Sequence, residues 1–378
     1  MKIQRISTQV YRLPLKEKWI SAKYVISEFE LVLTEIETDG GLRGTGWYST
    51  IGAGGLSIQR LLESYLSPLL IGEDAWNTER IWDRLWGEVH LLGPAGLTTL
   101  AIGTIDIALW DLRAQAAHVP LYVLLGGMRD EVPVYASAIN LHLAGDELLK
   151  QTEGFLRQGY STFKIKIGRN DPEEDLARLR AVRGLIGPKR ELLVDVNQRW
   201  KAGEAVARCR QLLEVNPGWI EEPLLSDDVD GHVHVRANGG IPVAIGEQLC
   251  HRFEFMRYIR REAADILQPH VAKVGGITEW MKIAHLAQAA NLPMAPNAVL
   301  ELSMHLIAAI ANGYMVENIL GSNLADLGIA EPVEVRNGRI RLPDRPGHGT
   351  VFDWSALARY RVDPATVFKP QATTHQGL

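Results

Sequence analysis

Over the first forty residues the chain alternates apolar and polar positions with a period of two, the spacing that sends successive side chains to opposite faces of a strand. Ile3, Ile6 and Val10 mark a strand over residues 2–13, and Phe29, Leu31, Val32, Leu33 and Ile36 mark another over 29–38. Asp39-Gly40-Gly41 supplies a turn, and Gly44 to Trp47 a third strand. Residues 14–28 read as a loop carrying Trp19 and Tyr24, and Tyr48 to Leu56 as a second, glycine-rich loop. From Ser57 the period lengthens to that of a helix and recurs, with breaks, to Leu125. Leu61, Leu62, Tyr65 and Leu69 share one face; Ile102, Ile105, Ala108, Leu109 and Leu112 share another. Gly126-Gly127 closes the last helix. Residues 1–128 are therefore expected to form an α+β unit, a three-stranded meander followed by helices.

The texture changes at Val132. Short apolar runs at 132–138, 162–167, 191–196, 218–222, 241–246, 264–268, 292–296 and 314–317 alternate with amphipathic stretches. Those stretches begin near Gly145, Pro172, Ala202, Asp228, Arg252, Ile277 and Leu302. Eight strands alternating with helices predict an α/β fold, a (β/α)8 TIM-type barrel over residues 129–330. The rival is an open doubly wound sheet, but no glycine-rich phosphate loop follows a first strand. Residues 331–378 lack the alternation; Arg336-Asn337-Gly338-Arg339 reads as a hairpin turn, and the segment is expected to pack back on the N-terminal unit.

Composition narrows the class. A chain of 378 residues exceeds one ordinary core. A net charge of −5 with no basic block argues against nucleic acid as the main partner. Two cysteines, Cys209 and Cys250, are too few for a disulfide framework or a thiolate metal site, and fit a reducing cytosol. No run of about 18 apolar residues occurs, so the expectation is a cytoplasmic protein with no membrane partner.

The chemistry gathers at the ends of the barrel strands, where such barrels carry their sites. Lys164 and Lys166 share one face of the second strand. On an edge strand both would meet water; inside a barrel each would depress the other's pKa, making an ammonium that gives up its proton near neutrality. The next three strands end in Asp195-Val196-Asn197, Glu221-Glu222-Pro223 and Gly246-Glu247, delivering one carboxylate each. Solvated carboxylates are the plain reading. Three that converge cannot all remain ionised without a cation, and an oxygen-only set suits Mg2+. His270 and Lys273 follow the sixth strand, Asn297 the seventh, and Glu317 ends the eighth.

Lys-x-Lys, Asp-x-Asn, Glu-Glu-Pro, Gly-Glu and the Lys-x-Gly-Gly of Lys273 to Gly276, in this order, resemble the enolase superfamily. Within its mandelate racemase/muconate lactonizing enzyme family, the chain is most similar to the mandelate racemase and acid-sugar dehydratase branch. The resemblance implies an N-terminal α+β capping domain, a returning C-terminal segment, and a reaction that begins by removing the proton next to a substrate carboxylate. It implies Mg2+, one per subunit and replaceable by Mn2+, on Asp195, Glu221 and Glu247. It makes Lys166 the base, Lys164 a contact to the carboxylate, Asn197 a contact to substrate oxygens, and Glu317 a hydrogen-bond donor when protonated. It further implies a small carboxylate as partner and a homo-oligomer, a dimer or an octamer. The branch commonly carries an Asp and a His where this chain has His270 and Asn297. His270 is thus either a second acid/base group oriented by Asn297, or a binder of a substrate hydroxyl beside a solitary Lys166; an inert structural histidine is the plain alternative. Lys273 either pairs with a metal-ligand carboxylate or is solvated. In the capping loops Trp19, Tyr24 and Tyr48 are expected against the substrate, with Gly52, Gly54 and Gly55 marking a mobile lid. The implied reaction is dehydration of an aldonic or aldaric acid to a 2-keto-3-deoxy acid. Behind it stand racemisation or epimerisation of a 2-hydroxy or amino acid derivative, cycloisomerisation of a sugar-acid lactone, and a binding protein without turnover. His232 and His234, two apart on a helix, read as surface residues.

Overall fold

The computed structural model describes residues 1–320 and 323–365. The last part of the expected C-terminal segment lies outside them. An antiparallel sheet is built from β1 (Ile3–Ile20), β2 (Val25–Thr38) and β3 (Arg43–Thr50), in that order. Helices α1 (Gly55–Leu61), α2 (Thr78–His90), α3 (Leu97–Ala116) and α4 (Leu121–Leu124) follow. Parallel strands then alternate with helices: β4 (Glu131–Ser137), α5 (Gly145–Arg157), β5 (Thr162–Lys166), α6 (Pro172–Ile186), β6 (Glu191–Asp195), α7 (Ala202–Leu212), β7 (Ile220–Glu221) and α8 (Val229–Gly239). The series continues with β8 (Val243–Ile245), α9 (Arg252–Arg260), β9 (Ile266–Leu267), α10 (Ile277–Ala289), α11 (Leu300–Ala309) and β10 (Val316–Ile319). Neighbours run β10-β4-β5-β6-β7-β8-β9.

The ring closes through a single residue. The expected seventh strand, 292–296, is reduced to Met294, which bridges to Leu267 on one side and Gly313 on the other. Pro293 and Pro296 flank it and have no N–H to give to a ladder, so pairing survives only between them. The eighth strand begins two residues later than the apolar run suggests, at Val316 in register with Val134.

The stretch expected as a loop over 14–28 is instead mostly a two-stranded ribbon. Trp19 faces Ile26 and Ile20 faces Val25, after an irregularity between Pro14 and Trp19. β1 is an edge strand, which tolerates the missing N–H of Pro14. The turn at 21–24 is tied by Ser21 Oγ, which accepts from the backbone N–H of Tyr24 at 3.1 Å. The ribbon's end rests on the barrel, where Leu141 N–H donates to the Ile20 carbonyl at 3.1 Å.

α3 lies between the antiparallel sheet and the barrel, and fifteen of its residues are buried. A Cβ on Gly103 would stand 2.5 Å from the Ala272 carbonyl oxygen, so only glycine lets this helix reach the loop after β9. After β10, the chain adds β11 (Arg339–Arg341) antiparallel to β4, and reaches back to β1, where Val362 N–H donates to the Val10 carbonyl at 2.8 Å. His232 is not at the surface: it is fully buried, with Nδ1 2.8 Å from the Asp228 carbonyl and 3.2 Å from the Tyr258 hydroxyl. His234 is exposed. Among the described residues no helix is long and apolar enough to cross a membrane.

Candidate active site

The barrel interior is stoppered by an apolar plug that includes Tyr135, Leu193, Trp219, Ala244 and Ile266. Tyr135 and Trp219 meet edge to face, with ring centroids 5.5 Å apart. Parallel register builds the next layer from this floor. Lys164 pairs with Leu193, and two residues further along, Lys166, Asp195 and Glu221 stand side by side on three adjacent strands. Because the strand period is two, a side chain two positions beyond an interior apolar residue also points inward. The alternation that hides Leu193 and Trp219 therefore delivers Asp195 and Glu221 directly above them.

Both lysines are buried, which excludes the edge-strand reading. Lys164 Nζ donates to Glu221 Oε1 at 2.8 Å and lies 2.6 Å from Glu317 Oε1 and 3.5 Å from Asp195 Oδ2. Lys166 Nζ is bonded to Asp195 Oδ2. Glu221 also accepts from Trp219 Nε1 at 3.2 Å and Gln268 Nε2 at 2.9 Å. Asp195 accepts from the backbone N–H of Asn197 at 2.9 Å. The expected depression of the lysine pKa does not hold for Lys164. Burial works against its charge, but Glu221, Glu317 and Asp195 outweigh burial and lift its pKa well above the ordinary value. Burial likewise raises the Asp195 carboxyl, yet the two ammonium groups beside it win and hold it at about 2. Glu317 is the second correction. Expected to donate only when protonated, it is instead lowered below the usual carboxylate range, since Lys164 and Lys166 overcome the effect of burial.

Above this layer stands a rim carried by strand ends and loops. Gly246 has a φ of +143°, and a Cβ there would lie 2.9 Å from the Gln268 backbone, so glycine is required where the chain turns outward to Glu247. Lys273 Nζ lies 3.7 Å from Glu247 and 3.3 Å from Gln248 Oε1; of its two expected states, the paired one is found. Burial works against the Lys273 charge, but Glu247 and Glu222 keep its pKa raised. Glu222, in a left-handed conformation with φ +37°, is pushed up to about 8 by burial and then by Glu247. The Tyr24 hydroxyl is held well above its ordinary pKa by burial, then by Glu247, Asp195 and Glu222, and so remains a neutral donor among the acids.

His270 is buried, packed edge-on to Tyr48 with centroids 5.2 Å apart. Its Nδ1 accepts from the Ala272 N–H at 3.2 Å, which puts the ring proton on Nε2. Burial, then Lys273, drives its pKa well below the ordinary histidine value. The ring is therefore neutral and presents an N–H, not a lone pair, at Nε2. Asn297 does not orient it. Asn297 Nδ2 donates to Glu317 Oε2 at 3.0 Å, and the left-handed Ala298, φ +53°, aims its own N–H at the same oxygen, also at 3.0 Å.

A cleft of roughly 350 Å3 opens over the rim, and Trp19, Tyr24, Tyr48, Lys166, Glu247, His270, Lys273, Asn297 and Glu317 all line it. Lys164, Asp195, Asn197 and Glu221 lie buried below. Asp195, Glu221 and Glu247 are not gathered as a cage: among the described residues no three His, Cys, Asp or Glu side chains stand at metal-holding spacing. The reason is local. Ammonium groups rest on Asp195 and Glu221, while Glu247 is turned toward Lys273. The donor set nonetheless suits a hard divalent cation. Asn197 Oδ1 is buried without a partner. Five carboxylates (Asp195, Glu221, Glu222, Glu247 and Glu317) face three ammonium groups (Lys164, Lys166 and Lys273), a balance of −2 when all are ionised.

Two participants escaped sequence reasoning. Glu222 looked like a mere neighbour of Glu221, and strand alternation alone turns it away from the interior; the strained backbone at the strand end returns it to the rim. Glu301 lines the cleft from α11, and its signal was faint, a lone acid in the apolar run Leu300 to Ala309.

Comparison with known proteins gives the chain's relatives. The family model described as Mandelate racemase / muconate lactonizing enzyme, N-terminal domain, matches residues 7–126, and that described as Enolase C-terminal domain-like matches residues 147–356. A 3,6-anhydro-alpha-L-galactonate cycloisomerase of Streptomyces coelicolor is 35% identical over 362 residues, 95% of this chain and 99% of the relative. An L-talarate/galactarate dehydratase of Salmonella typhimurium is 33% identical over 365 residues, 95% of this chain and 90% of the relative. The crystal structure of an L-talarate dehydratase from Polaromonas sp. JS666, complexed with Mg and L-glucarate, superposes with a TM-score of 0.90 at 35% identity, covering 96% of this chain and 98% of that one.

Proposed function

The chain belongs to the mandelate racemase/muconate lactonizing enzyme family of the enolase superfamily, and on that premise we propose that it is a Mg2+-dependent lyase that dehydrates a sugar acid to a 2-keto-3-deoxy acid. Relatives named as dehydratases and cycloisomerases make it an enzyme of the lyase or isomerase kind. Asp195, Glu221 and Glu247 would hold the ion, whose bound charge supplies Lewis-acid stabilisation of the substrate carboxylate.

The observation that carries the reading is an asymmetry. Lys166 is the base within the charged layer, and His270, the other candidate, offers only an N–H. Racemisation needs a proton acceptor on each face of the carbon, and the lone pair of His270 Nδ1 is already taken by the Ala272 N–H. Elimination needs one. Lys166 takes the proton from the carbon next to the carboxylate, and Lys164 faces the second negative charge that develops on the carboxylate oxygens. The β-hydroxyl then leaves with a proton returned by the Lys166 ammonium, while His270 Nε2–H hydrogen-bonds to the departing oxygen. Water and an enol result, and the enol becomes the 2-keto acid. Asn197 and Tyr24 bind substrate oxygens, and Asn297 holds Glu317 against Lys164.

Incubation with Mg2+ and a library of aldonic and aldaric acids in D2O tests this. Deuterium should enter at the α-carbon of recovered acid, and a 2-keto acid carrying deuterium at C3 should accumulate. Binding of an acid with no exchange for any member of the library would favour a binding protein without turnover instead.

A further inference from the structure

We infer that the substrate carries a single carboxylate and that its far end is uncharged, so that aldaric acids are excluded. This rests on the reading of the site as one for sugar acids. One carboxylate is provided for by the charged layer beneath the cleft. A second would have to be met by the rest of the wall. Among the described residues, the cationic side chains lining the cleft are Lys166 and Lys273, and both stand at the end of the cleft where the ion would sit, Lys166 beside Asp195 and Lys273 3.7 Å from Glu247. His270 is neutral. Beyond them the wall is formed by Trp19, Phe29, Ile139, Leu320 and Val333, with Ile51 at the rim. The ionisable group among them is Glu301, itself a buried acid, its carboxyl raised in pKa by burial. A terminal carboxylate would therefore lose its water against indole, phenyl and aliphatic surface and find another acid, with no cation to offset the loss. A neutral terminus suffers no such loss. The hydroxyls of Ser49, Tyr24 and Tyr48 are uncharged partners for a hydroxyl or a ring oxygen, and the aromatic faces suit the C–H side of a sugar.

The test is calorimetric titration of the Mg2+-loaded protein with matched pairs of six-carbon aldonates and aldarates of the same configuration, run beside α-deuterium exchange on the same panel. At least one mono-acid should bind, at least 30-fold more tightly than its matched diacid, and exchange should be confined to mono-acids. An aldarate that binds as tightly as its aldonate, exchange of any aldarate, or failure of every mono-acid to bind overturns the inference. Preferential binding of mono-acids without exchange upholds it and sinks the proposed reaction instead. Ile51→Arg, at an exposed position, supplies the missing cation without disturbing the core. It should shift the ratio of aldarate to aldonate binding at least tenfold toward the aldarate; an unchanged ratio would show that charge is not what this wall selects on and would also overturn the inference.

Discussion

The charged layer and the rim above it hold the same kinds of side chain but are built differently. Lys164, Lys166, Asp195, Glu221 and Glu317 all stand on β5, β6, β7 and β10, and strand register alone sets their spacing. Every charge there has an opposite charge within 3.5 Å. Glu222, Glu247, His270 and Lys273 stand past strand ends, and Tyr24 at a hairpin turn; Glu222, Glu247 and Lys273 are held by loop side chains such as Gln198 and Gln248, and the loop of His270 and Lys273 is also braced from outside the barrel. α3 supplies that brace twice: the close approach of Gly103 to Ala272, and Asp106, which accepts from the Thr278 N–H at 2.8 Å and so fixes the start of α10 after the loop that carries His270 and Lys273. A register cannot be altered without flipping side chains, whereas a loop can be. On the proposed reaction, the layer would carry the proton chemistry and the rim the choice of substrate.

The largest expected effect breaks or keeps that division outright. Lys166→Ala should slow α-deuterium exchange by about 10^3- to 10^4-fold, read by NMR in D2O. A variant within tenfold of the parent would move the base to the rim. Next, Glu221→Gln should weaken Mg2+ binding by about 100-fold in calorimetric titration, and Glu222→Gln by far less. Equal losses would mean that strand alternation does not sort the two neighbouring acids. His270→Gln should slow release of the 2-keto acid by about tenfold and leave exchange in place. His270 is held well below the ordinary histidine pKa, so it is neutral throughout the range near pH 7 and adds no limb to the rate profile. The profile of the variant should therefore keep the parent's shape; a lost limb would make His270 an acid/base group.

The smallest effect concerns the support of the rim. Burial pushes the Asp106 carboxyl up to about 7, although Thr278 hydrogen bonds oppose the shift. The folded protein thus keeps a proton that the unfolded chain releases near pH 4. The stability this contributes is complete below about pH 4 and is lost as pH rises toward about 7. Asp106→Asn removes the dependence. Its Tm should vary less than the parent's over that range, by a few degrees, and kcat/KM should change by less than about threefold. A larger loss of turnover would show that α3 positions the rim more tightly than loop contacts imply.

Much of this was legible in the residues. The period of two, the helix starts at Gly145, Pro172, Ala202, Arg252 and Ile277, and the polar residues closing each apolar run identify the barrel and its charged mouth, because periodicity and strand-end chemistry are local properties written along the chain. Tertiary structure decided what local pattern cannot carry. It made Met294 the whole of the seventh strand, extended the first hairpin over the barrel, raised Lys164 instead of lowering it, ionised Glu317, and gave Asn297 to Glu317 and not to His270. Each of these depends on which distant charge or backbone group lies within a few ångströms of a buried side chain. At low dielectric such a neighbour outweighs any intrinsic tendency of the residue itself.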